Sequence, residues 1–361
     1  MIDPIAGSRL AGACALLGGA GADHLVVGRL ENVRYLSGFT GSAAALRIGG
    51  DPPVLCTDSR YAEQATSEAA GFRIEVAPDP PVLAAARLGG AGRVAFEAES
   101  ITWDLWERMR LAVEGAAGGV LVPSRGLIES LRVRKQPEEI DRLRRAIGIA
   151  WDAFEETVPL IRVGAVERDL ALEIEFRMKS SGAEELAFDL IVASGPRSAL
   201  PHGRASSRRI GPGEFVVFDI GARYEGYHSD MTRTVFTGRP GDAQRLLYET
   251  VQEAQQAAIE AIGPGVPVAD VDAAARNRIA KAGHAGRFGH GTGHGVGLQI
   301  HEAPRVGPRS RETLEAGMVI TVEPGIYLPG EAGVRIEDIV LVTPQGRETL
   351  TPAPRAPWIL E

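Results

Sequence analysis

Two short apolar segments of this chain each carry one carboxylate at the same position. Residues 213–221 read Gly-Glu-Phe-Val-Val-Phe-Asp-Ile-Gly, and residues 317–325 read Gly-Met-Val-Ile-Thr-Val-Glu-Pro-Gly. A second acidic residue follows each segment, Asp230 in one case and Glu337 in the other. This repetition predicts an internal duplication around a pseudo-two-fold axis, in which each half supplies helices and then a pair of acidic strands.

The strand pair of the first half would bring two carboxylates together. Residues 213–221 predict one strand, a turn follows around Tyr224, Glu225 and Gly226, and residues 228–236 predict the returning strand. A two-residue turn places Asp219 and Asp230 on one face of such a hairpin, directly opposite or diagonal. Because like charges in an apolar setting cannot all stay ionised, the pair calls for neighbouring cations.

The acidic residues and one histidine together predict a two-metal site. Carboxylate and imidazole ligands without a thiolate suit a pair of divalent ions, with Mn²⁺ preferred and Co²⁺ or Zn²⁺ as alternatives. Paired ions of this kind indicate hydrolysis by a bridging hydroxide. The predicted ligands are Asp219, Asp230, His294, Glu323 and Glu337.

Glycine-rich loops surround several of the histidines. Residues 288–297 read Phe-Gly-His-Gly-Thr-Gly-His-Gly-Val-Gly, His301 follows closely, and His202 lies in a loop between Pro and Gly. Glycine costs backbone entropy and packs no side chain, so this many glycines predict close approach of a ligand or of another chain. We therefore place His202, His290, His294 and His301 among the candidate site residues.

These motifs resemble those of the pita-bread metallopeptidases, a family that includes Xaa-Pro aminopeptidase, Xaa-Pro dipeptidase (prolidase) and methionine aminopeptidase. All five ligand positions are present in the family's order, and the resemblance covers about residues 134 to 350. It implies a pita-bread α+β metallopeptidase domain with a dinuclear metal site. The matching stretches are residues 218–221, 229–234, 291–297, 321–325 and 334–338.

The resemblance also implies roles for single residues. Glu323 would double as the proton acceptor. His202 and His301 would stabilise the tetrahedral intermediate and the leaving prolyl nitrogen. His290 would help to line a pocket for the proline ring.

Two further residues are candidates for substrate binding. Arg335 lies two residues before Glu337. If both belong to one strand they share a face, and Arg335 is predicted either to hold that carboxylate or to bind substrate. Tyr327 follows Glu323 by four residues, and its alternative role is packing.

The N-terminal part predicts a separate α/β domain. Strand-like segments alternate there with helical ones such as residues 59–70. Residues 32–39 resemble the creatinase/prolidase-like N-terminal domain of the Xaa-Pro-specific members, in which it caps the neighbouring subunit's active site and so implies a homodimer. We therefore predict an α/β two-domain chain, with the N-terminal domain at residues 1–127 and the catalytic domain at residues 128–361.

Composition narrows the functional classes. An apolar fraction of 44% and a charged fraction of 24% are typical of a globular protein. A net charge of −8 without a dense basic run argues against nucleic acid, and no apolar run reaches the length of a membrane span. Two cysteines are too few for a disulfide framework, which favours a cytoplasmic location.

The sequence therefore predicts a metal-dependent, proline-specific exopeptidase that acts on small peptides as an Xaa-Pro aminopeptidase. The Xaa-Pro bond is a tertiary amide without an N–H group, so peptidases that need this group fail on it. A strict Xaa-Pro dipeptidase, which must bind a free proline carboxylate, is the main alternative. Non-peptidase scaffolds and creatinase-like enzymes of the same fold are more remote. Candidates for the carboxylate-binding group are Arg34, Arg47, Arg197 and Arg335.

Overall fold

The computed structural model describes residues 4–352 and 358–360, and the chain divides into two compact units between Arg132 and Val133. This division lies close to the end predicted for the first domain, residue 127. None of the helices in the described ranges is long and apolar enough to cross a bilayer.

The first unit is a mixed sheet flanked by helices. Its strands lie in the order β4–β3–β2–β1–β5–β6, with parallel pairs at both ends and antiparallel pairs in the middle. The strands are β1 (His24–Val27), β2 (Ala44–Ile48), β3 (Val54–Thr57), β4 (Arg73–Val76), β5 (Arg93–Glu97) and β6 (Val120–Ser124). The helices are α1 (Pro4–Ala20), α2 (Leu30–Ser37), α3 (Ala62–Glu68), α4 (Pro81–Arg87), α5 (Trp103–Ala117) and α6 (Leu127–Arg132).

The central strands of this unit are nearly continuous apolar runs, as expected for a sheet covered on both faces. Strand β3 is buried along its whole length, and it contains the buried thiol of Cys56, whereas Cys14 on α1 is exposed. Strand β6 was not predicted. It is a half-exposed edge strand that includes Pro123, and proline in a short run argues against a strand everywhere except at an edge.

The second unit repeats one arrangement twice. In each half, two helices cover a mainly antiparallel sheet, in which the pairing of residues 231–237 with residues 358–360 is parallel. The first half packs α7 (Pro137–Thr157) and α8 (Glu167–Ser180), and the second packs α9 (Asp242–Glu260) and α10 (Val268–Lys281). Separate apolar cores lie under the two helix pairs, in agreement with the predicted duplication.

The strands of the second unit form two larger sheets and smaller pairings. The larger sheets have the orders β20–β12–β9–β8 and β14–β13–β15–β18–β19. The strands of the first half are β7 (Glu185–Leu186), β8 (Ile191–Ser194), β9 (Phe215–Ile220), β10 (Ala222–Tyr224), β11 (Tyr227–His228) and β12 (Met231–Thr237). The remaining strands are β13 (Gly293–Gly295), β14 (Glu302–Val306), β15 (Val319–Val322), β16 (Gly325–Leu328), β17 (Ala332–Arg335), β18 (Asp338–Thr343), β19 (Gly346–Thr349) and β20 (Trp358–Leu360).

A buried ion pair joins the two halves of this unit. Arg233 on β12 donates to Asp338 on β18 over 2.7 Å, and the two side chains are only 3% and 1% exposed. Gln255 on α9 donates to the other oxygen of Asp338 over 2.7 Å. The contact fixes β12 against the start of β18, which is where the acidic residues of the two halves meet.

Candidate metal centre and substrate cavity

Asp219 and Asp230 lie on one face of the first acidic strand pair. Asp219 on β9 is opposite Thr232, so Asp230 is its diagonal neighbour. The chain reverses through a two-residue turn at Glu225 and Gly226, whose φ angles are 44° and 79°. Positive φ at both positions is the geometry of the tight turns that join antiparallel strands. The diagonal arrangement expected from the sequence is therefore present.

The returning strand is interrupted, which corrects the prediction of one strand over residues 228–236. Strand β11 ends at His228, and β12 begins only at Met231. In the gap, the Ser229 hydroxyl accepts a hydrogen bond from the Ala222 N–H over 2.9 Å. Asp230 occupies the same gap, next to the start of β12, where its carboxylate can turn into the site.

The second half presents its carboxylates in a comparable way. Glu323 directly follows β15, and Glu337 directly precedes β18, next to the last paired residues of these two strands. The Glu323 N–H donates to the Thr292 carbonyl over 2.7 Å. The Thr232 hydroxyl donates to Glu337 Oε2 over 2.7 Å, so an oxygen atom from the first half orients a carboxylate of the second.

His294 completes the cluster. Its Nε2 atom lies 3.5 Å from Asp230 Oδ2 and 3.6 Å from Glu323 Oε1. Its Nδ1 lies 3.0 Å from the Gly295 carbonyl, to which it can only donate. In the neutral imidazole this leaves the Nε2 lone pair directed at the carboxylates, as a metal ligand requires. Ligand atoms of Asp230, His294 and Glu337 lie within 4.8 Å of one another.

Burial and mutual repulsion shift the titration of these carboxyl groups. Burial, followed by the charges of Asp219 and Glu323, raises the pKa of Asp230 well above its ordinary value. Burial and then Asp230 do the same to the pKa of Glu337, and burial raises the pKa of Glu323. Without cations the cluster would therefore retain protons, because its charged form is disfavoured.

The donor set fits divalent metal ions. The Oδ1 atom of Asp219 is buried and accepts no hydrogen bond within the described part of the chain. An uncompensated buried carboxylate oxygen is costly, and a cation would satisfy it. Hard oxygen ligands with one imidazole suit Mn²⁺, Co²⁺ or Zn²⁺, as the sequence predicts.

Arg335 does not hold Glu337, which corrects one of its two predicted roles. Its NH2 atom donates to Asp219 Oδ2 over 2.7 Å, and its Nε donates to the Thr232 hydroxyl over 3.0 Å. The reason is that β17 ends at Arg335 and β18 begins at Asp338, so Arg335 and Glu337 do not share one strand. The guanidinium thus neutralises a predicted ligand of the other half.

A hydrogen-bonded chain runs from Arg335 to His290. Arg335 NH1 donates to the Tyr327 hydroxyl over 2.9 Å, and this hydroxyl lies 2.9 Å from His290 Nε2. The Nδ1 atom of His290 lies 2.8 Å from the Gly291 carbonyl, so Nδ1 carries the proton and Nε2 accepts from Tyr327. Burial lowers the pKa of His290 to about 4, so its ring is neutral near pH 7.

The predicted ligands and three further histidines line one cavity of about 720 Å³. The rings of His294 and His301 are 4.3 Å apart, in an edge-to-face arrangement. Partial burial and then the neighbouring His294 lower the pKa of His301. His202 and His290 line the same cavity, so all of the candidate histidines are brought together.

Arg305 is a cavity residue that the sequence reasoning missed. It pairs with His294 across β13 and β14, so the two side chains point to the same face. No carboxylate among the described residues lies within ion-pair distance of it. The sequence does offer one signal for it. Arg305 lies four residues after His301, and residues an even number of positions apart on a strand point to the same face. Arg197, by contrast, forms an ion pair of 3.1 Å with Glu167 and does not line the cavity.

Known proteins resemble this chain over nearly its full length. An uncharacterized peptidase of Bacillus subtilis is 42% identical over 96% of this chain and 98% of its own. The solved Xaa-Pro dipeptidase of Bacillus anthracis superposes with a TM-score of 0.93 at 39% identity, covering 98% of this chain and 100% of its own. The X-Pro aminopeptidase of Thermotoga maritima gives a TM-score of 0.86 at 37% identity, covering 94% and 98%.

Two family profiles divide the chain between them. Residues 9–134 match the Creatinase/Prolidase N-terminal domain, and residues 141–344 match Metallopeptidase family M24. The matched regions correspond to the two compact units, and the second contains the whole carboxylate and histidine cluster. The chain therefore belongs to metallopeptidase family M24, a family of hydrolases, and joins a creatinase/prolidase N-terminal domain to a pita-bread catalytic domain.

Proposed function

We propose that this protein is a metal-dependent exopeptidase that hydrolyses the Xaa-Pro bond at the N-terminus of short peptides. The observation that carries the proposal is the convergence of the four carboxylates and His294 in one cavity that three more histidines also line. The solved relatives described above, an Xaa-Pro dipeptidase and an X-Pro aminopeptidase, support the same bond as the target.

The ligands would divide between two ions in the proposed site, with Mn²⁺ preferred. Asp219 and Asp230 would hold one ion, and Asp230 and Glu337 are the candidates that touch both. Divalent ions in such a site polarise a carbonyl group and make water a better nucleophile near neutral pH. The remaining ligands, His294 and Glu323, would help to hold the second ion.

The chain's own groups supply the proton transfers and the orientation of the substrate. The Glu323 carboxylate accepts a proton from the attacking water and can return it to the leaving nitrogen. The imidazoles of His202 and His301, which line the cavity, would donate to the oxygen of the tetrahedral intermediate. His290, neutral and fixed by Tyr327, presents an uncharged ring to the apolar pyrrolidine.

Xaa-Pro dipeptides are the substrates we propose first. A dipeptide ends in a free carboxylate one residue beyond the cleaved bond, and Arg305 is a cavity-lining cation that no described carboxylate neutralises. A guanidinium binds a carboxylate through two parallel hydrogen bonds. The sequence alone favoured longer peptides, and that aminopeptidase activity is the second candidate, since a further cleft adjoins the cavity at Arg305.

The test is hydrolysis of Ala-Pro and Ala-Pro-Ala by purified protein that is stripped of metal and then reloaded with Mn²⁺ or Co²⁺. Chelation should abolish the activity, and either ion should restore it. Asp230→Asn should lower turnover at least about 10³-fold, the scale of losing a central catalytic group. His284→Ala, which removes a histidine outside the cavity, is the matched control. Full activity in protein shown by elemental analysis to be metal-free would refute the proposal.

Two further expectations stay predictions. The resemblance implies a homodimer in which the N-terminal domain of one subunit caps the site of the other, and the cysteine content favours a cytoplasmic location. Sedimentation velocity would measure the first, and fractionation of the source cells would measure the second.

A further inference from the structure

A second cleft of about 520 Å³ adjoins the catalytic cavity. His290, Gly291 and Arg305 line both hollows, so the two meet along these residues. His290 is also the residue assigned to the proline ring. The second cleft therefore extends the cavity on the side where a peptide would continue beyond proline.

Three glycines leave parts of the cleft wall without side chains. Gly289, Gly291 and Gly307 all line it. A Cβ atom at Gly291 would lie 2.7 Å from the Val306 carbonyl oxygen, so no larger residue fits there without displacing the backbone. Small residues on both sides leave room for an extended chain, which advances about 3.3–3.6 Å per residue.

The charged side chains that line the cleft give it a net positive charge. Arg305 and Arg309 are both exposed and line it, while Glu312 is the carboxylate that lines it within the described residues. Arg276 also lines the cleft, but its guanidinium donates to Asp272 over 2.8 Å and to the backbone carbonyls of Phe288 and His290. Two guanidinium groups are thus available to a ligand.

We propose that this cleft, defined by Arg305, Arg309 and the three glycines, binds the residue that follows proline in substrates longer than a dipeptide, and that it favours an acidic side chain there. The inference rests on the proposed function and names a substrate class for the same site. With the proline ring against His290, the next residue passes Arg305 and brings its side chain to Arg309.

The test separates side-chain charge from the terminal carboxylate by using C-terminally amidated tripeptides. The ratio of kcat/KM for Ala-Pro-Glu-amide to that for Ala-Pro-Lys-amide is measured with the metal-loaded protein. The ratio should exceed one and should fall with salt, since exposed pairs are screened. Arg309→Glu should lower this ratio by about five- to ten-fold, the scale of a partly exposed ion pair lost and replaced by repulsion.

Arg311→Glu is the matched control, because Arg311 is exposed in the same loop and does not line the cleft. It makes the same change of net charge and should leave the ratio close to that of the unmodified protein. Equal ratios for both variants would overturn the inference, because the effect would then be one of overall charge. Hydrolysis of Ala-Pro without hydrolysis of either tripeptide would overturn the inference while leaving the proposed function intact.

Discussion

At the scale of single residues, one hydroxyl links the predicted metal ligands to the histidine that faces the substrate space. The Tyr327 hydroxyl accepts from Arg335, which neutralises Asp219, and donates to His290, which faces the substrate space. Tyr327 is buried, and so is its bond to Arg335, whereas its bond to His290 is partly buried at the cavity wall. Tyr327→Phe should therefore lower the free energy of unfolding by about 1–3 kcal/mol, the cost of leaving buried polar partners unsatisfied. Urea denaturation followed by circular dichroism measures this change.

The control for that variant is Tyr224→Phe, which removes the same hydroxyl from a half-buried tyrosine. No described residue forms a hydrogen bond with the Tyr224 hydroxyl, so its loss should be nearly neutral. The interpretation also predicts a kinetic difference, because a loosened His290 should raise KM for Ala-Pro more than it lowers kcat. A Tyr327→Phe protein with unchanged stability and unchanged KM would show that the hydrogen-bonded chain has no such role.

The sequence could supply the ligand chemistry because four carboxylates on apolar strands are costly without cations. The residues that the arginines contact could not be predicted from the sequence. Arg335 was expected near Glu337 by strand spacing, but the strand ends between them, and the partner is Asp219 in the other half. Arg305 was missed because its relation to His294 depends on the pairing of β13 with β14, which the sequence does not specify.

At the scale of elements, the alternation of glycine and histidine has a steric cause. A Cβ at Gly293 would lie 2.0 Å from the Thr321 carbonyl oxygen, and one at Gly295 would lie 2.1 Å from the Ala303 carbonyl oxygen. The close approach at these two glycines is thus made by the neighbouring strands β15 and β14, and not by a ligand or another chain. The glycines let β13 lie tightly between them, which fixes the direction of His294.

Gly293→Ala tests this cause. The added methyl group must displace the backbone of β13 or β15, so we expect a loss of about 1–3 kcal/mol or more in the free energy of unfolding. Because His294 is the next residue, the affinity for Mn²⁺ should fall as well, and isothermal titration calorimetry would measure it. Gly286→Ala is the control, since a Cβ there meets no atom within 4 Å. Similar stability for the two variants would mean that β13 tolerates bulk.

Elements can be predicted from the sequence where one period dominates. The apolar stripe from Leu143 to Phe154 identifies α7, and the same reasoning identifies α8, α9 and α10. Such predictions fail where tertiary contacts override local pattern. The run 228–236 has the composition of one strand, but the Ser229 hydroxyl bonds the backbone and splits it into β11 and β12.

At the scale of the whole molecule, the catalytic unit works as two similar halves that meet at their acidic ends. Each helix pair covers an apolar core, while the seam between the halves carries polar groups. The buried Arg233–Asp338 ion pair joins the two halves on the interior side of the seam. On the cavity side the seam consists of like-charged carboxylates, which oppose the docking of the halves unless protons or cations bind there.

This repulsion between carboxylates predicts how the stability of the metal-free protein depends on pH. The folded-state pKa values of Asp230 and Glu337 are raised well above the ordinary 3.8 and 4.5. The metal-free folded state therefore binds more protons than the unfolded chain. These two groups stabilise it at pH values below their ordinary pKa, and that stability is lost as the pH rises through the raised values. Divalent ions take the place of the protons, and their affinity rises as the carboxyl groups deprotonate.

Calorimetric melting of metal-free and Mn²⁺-loaded protein between pH 5 and about pH 8 tests this coupling. The gap in Tm between the two forms should widen as the pH rises, because the metal-free form loses stability while the loaded form does not. Metal-free Asp230→Asn should lose less stability than the unmodified protein over the same range, since it lacks one of the repelling charges. If the metal-free protein instead became more stable toward pH 8, or if Asp230→Asn followed the unmodified protein, repulsion across the seam would not limit the stability of the catalytic unit.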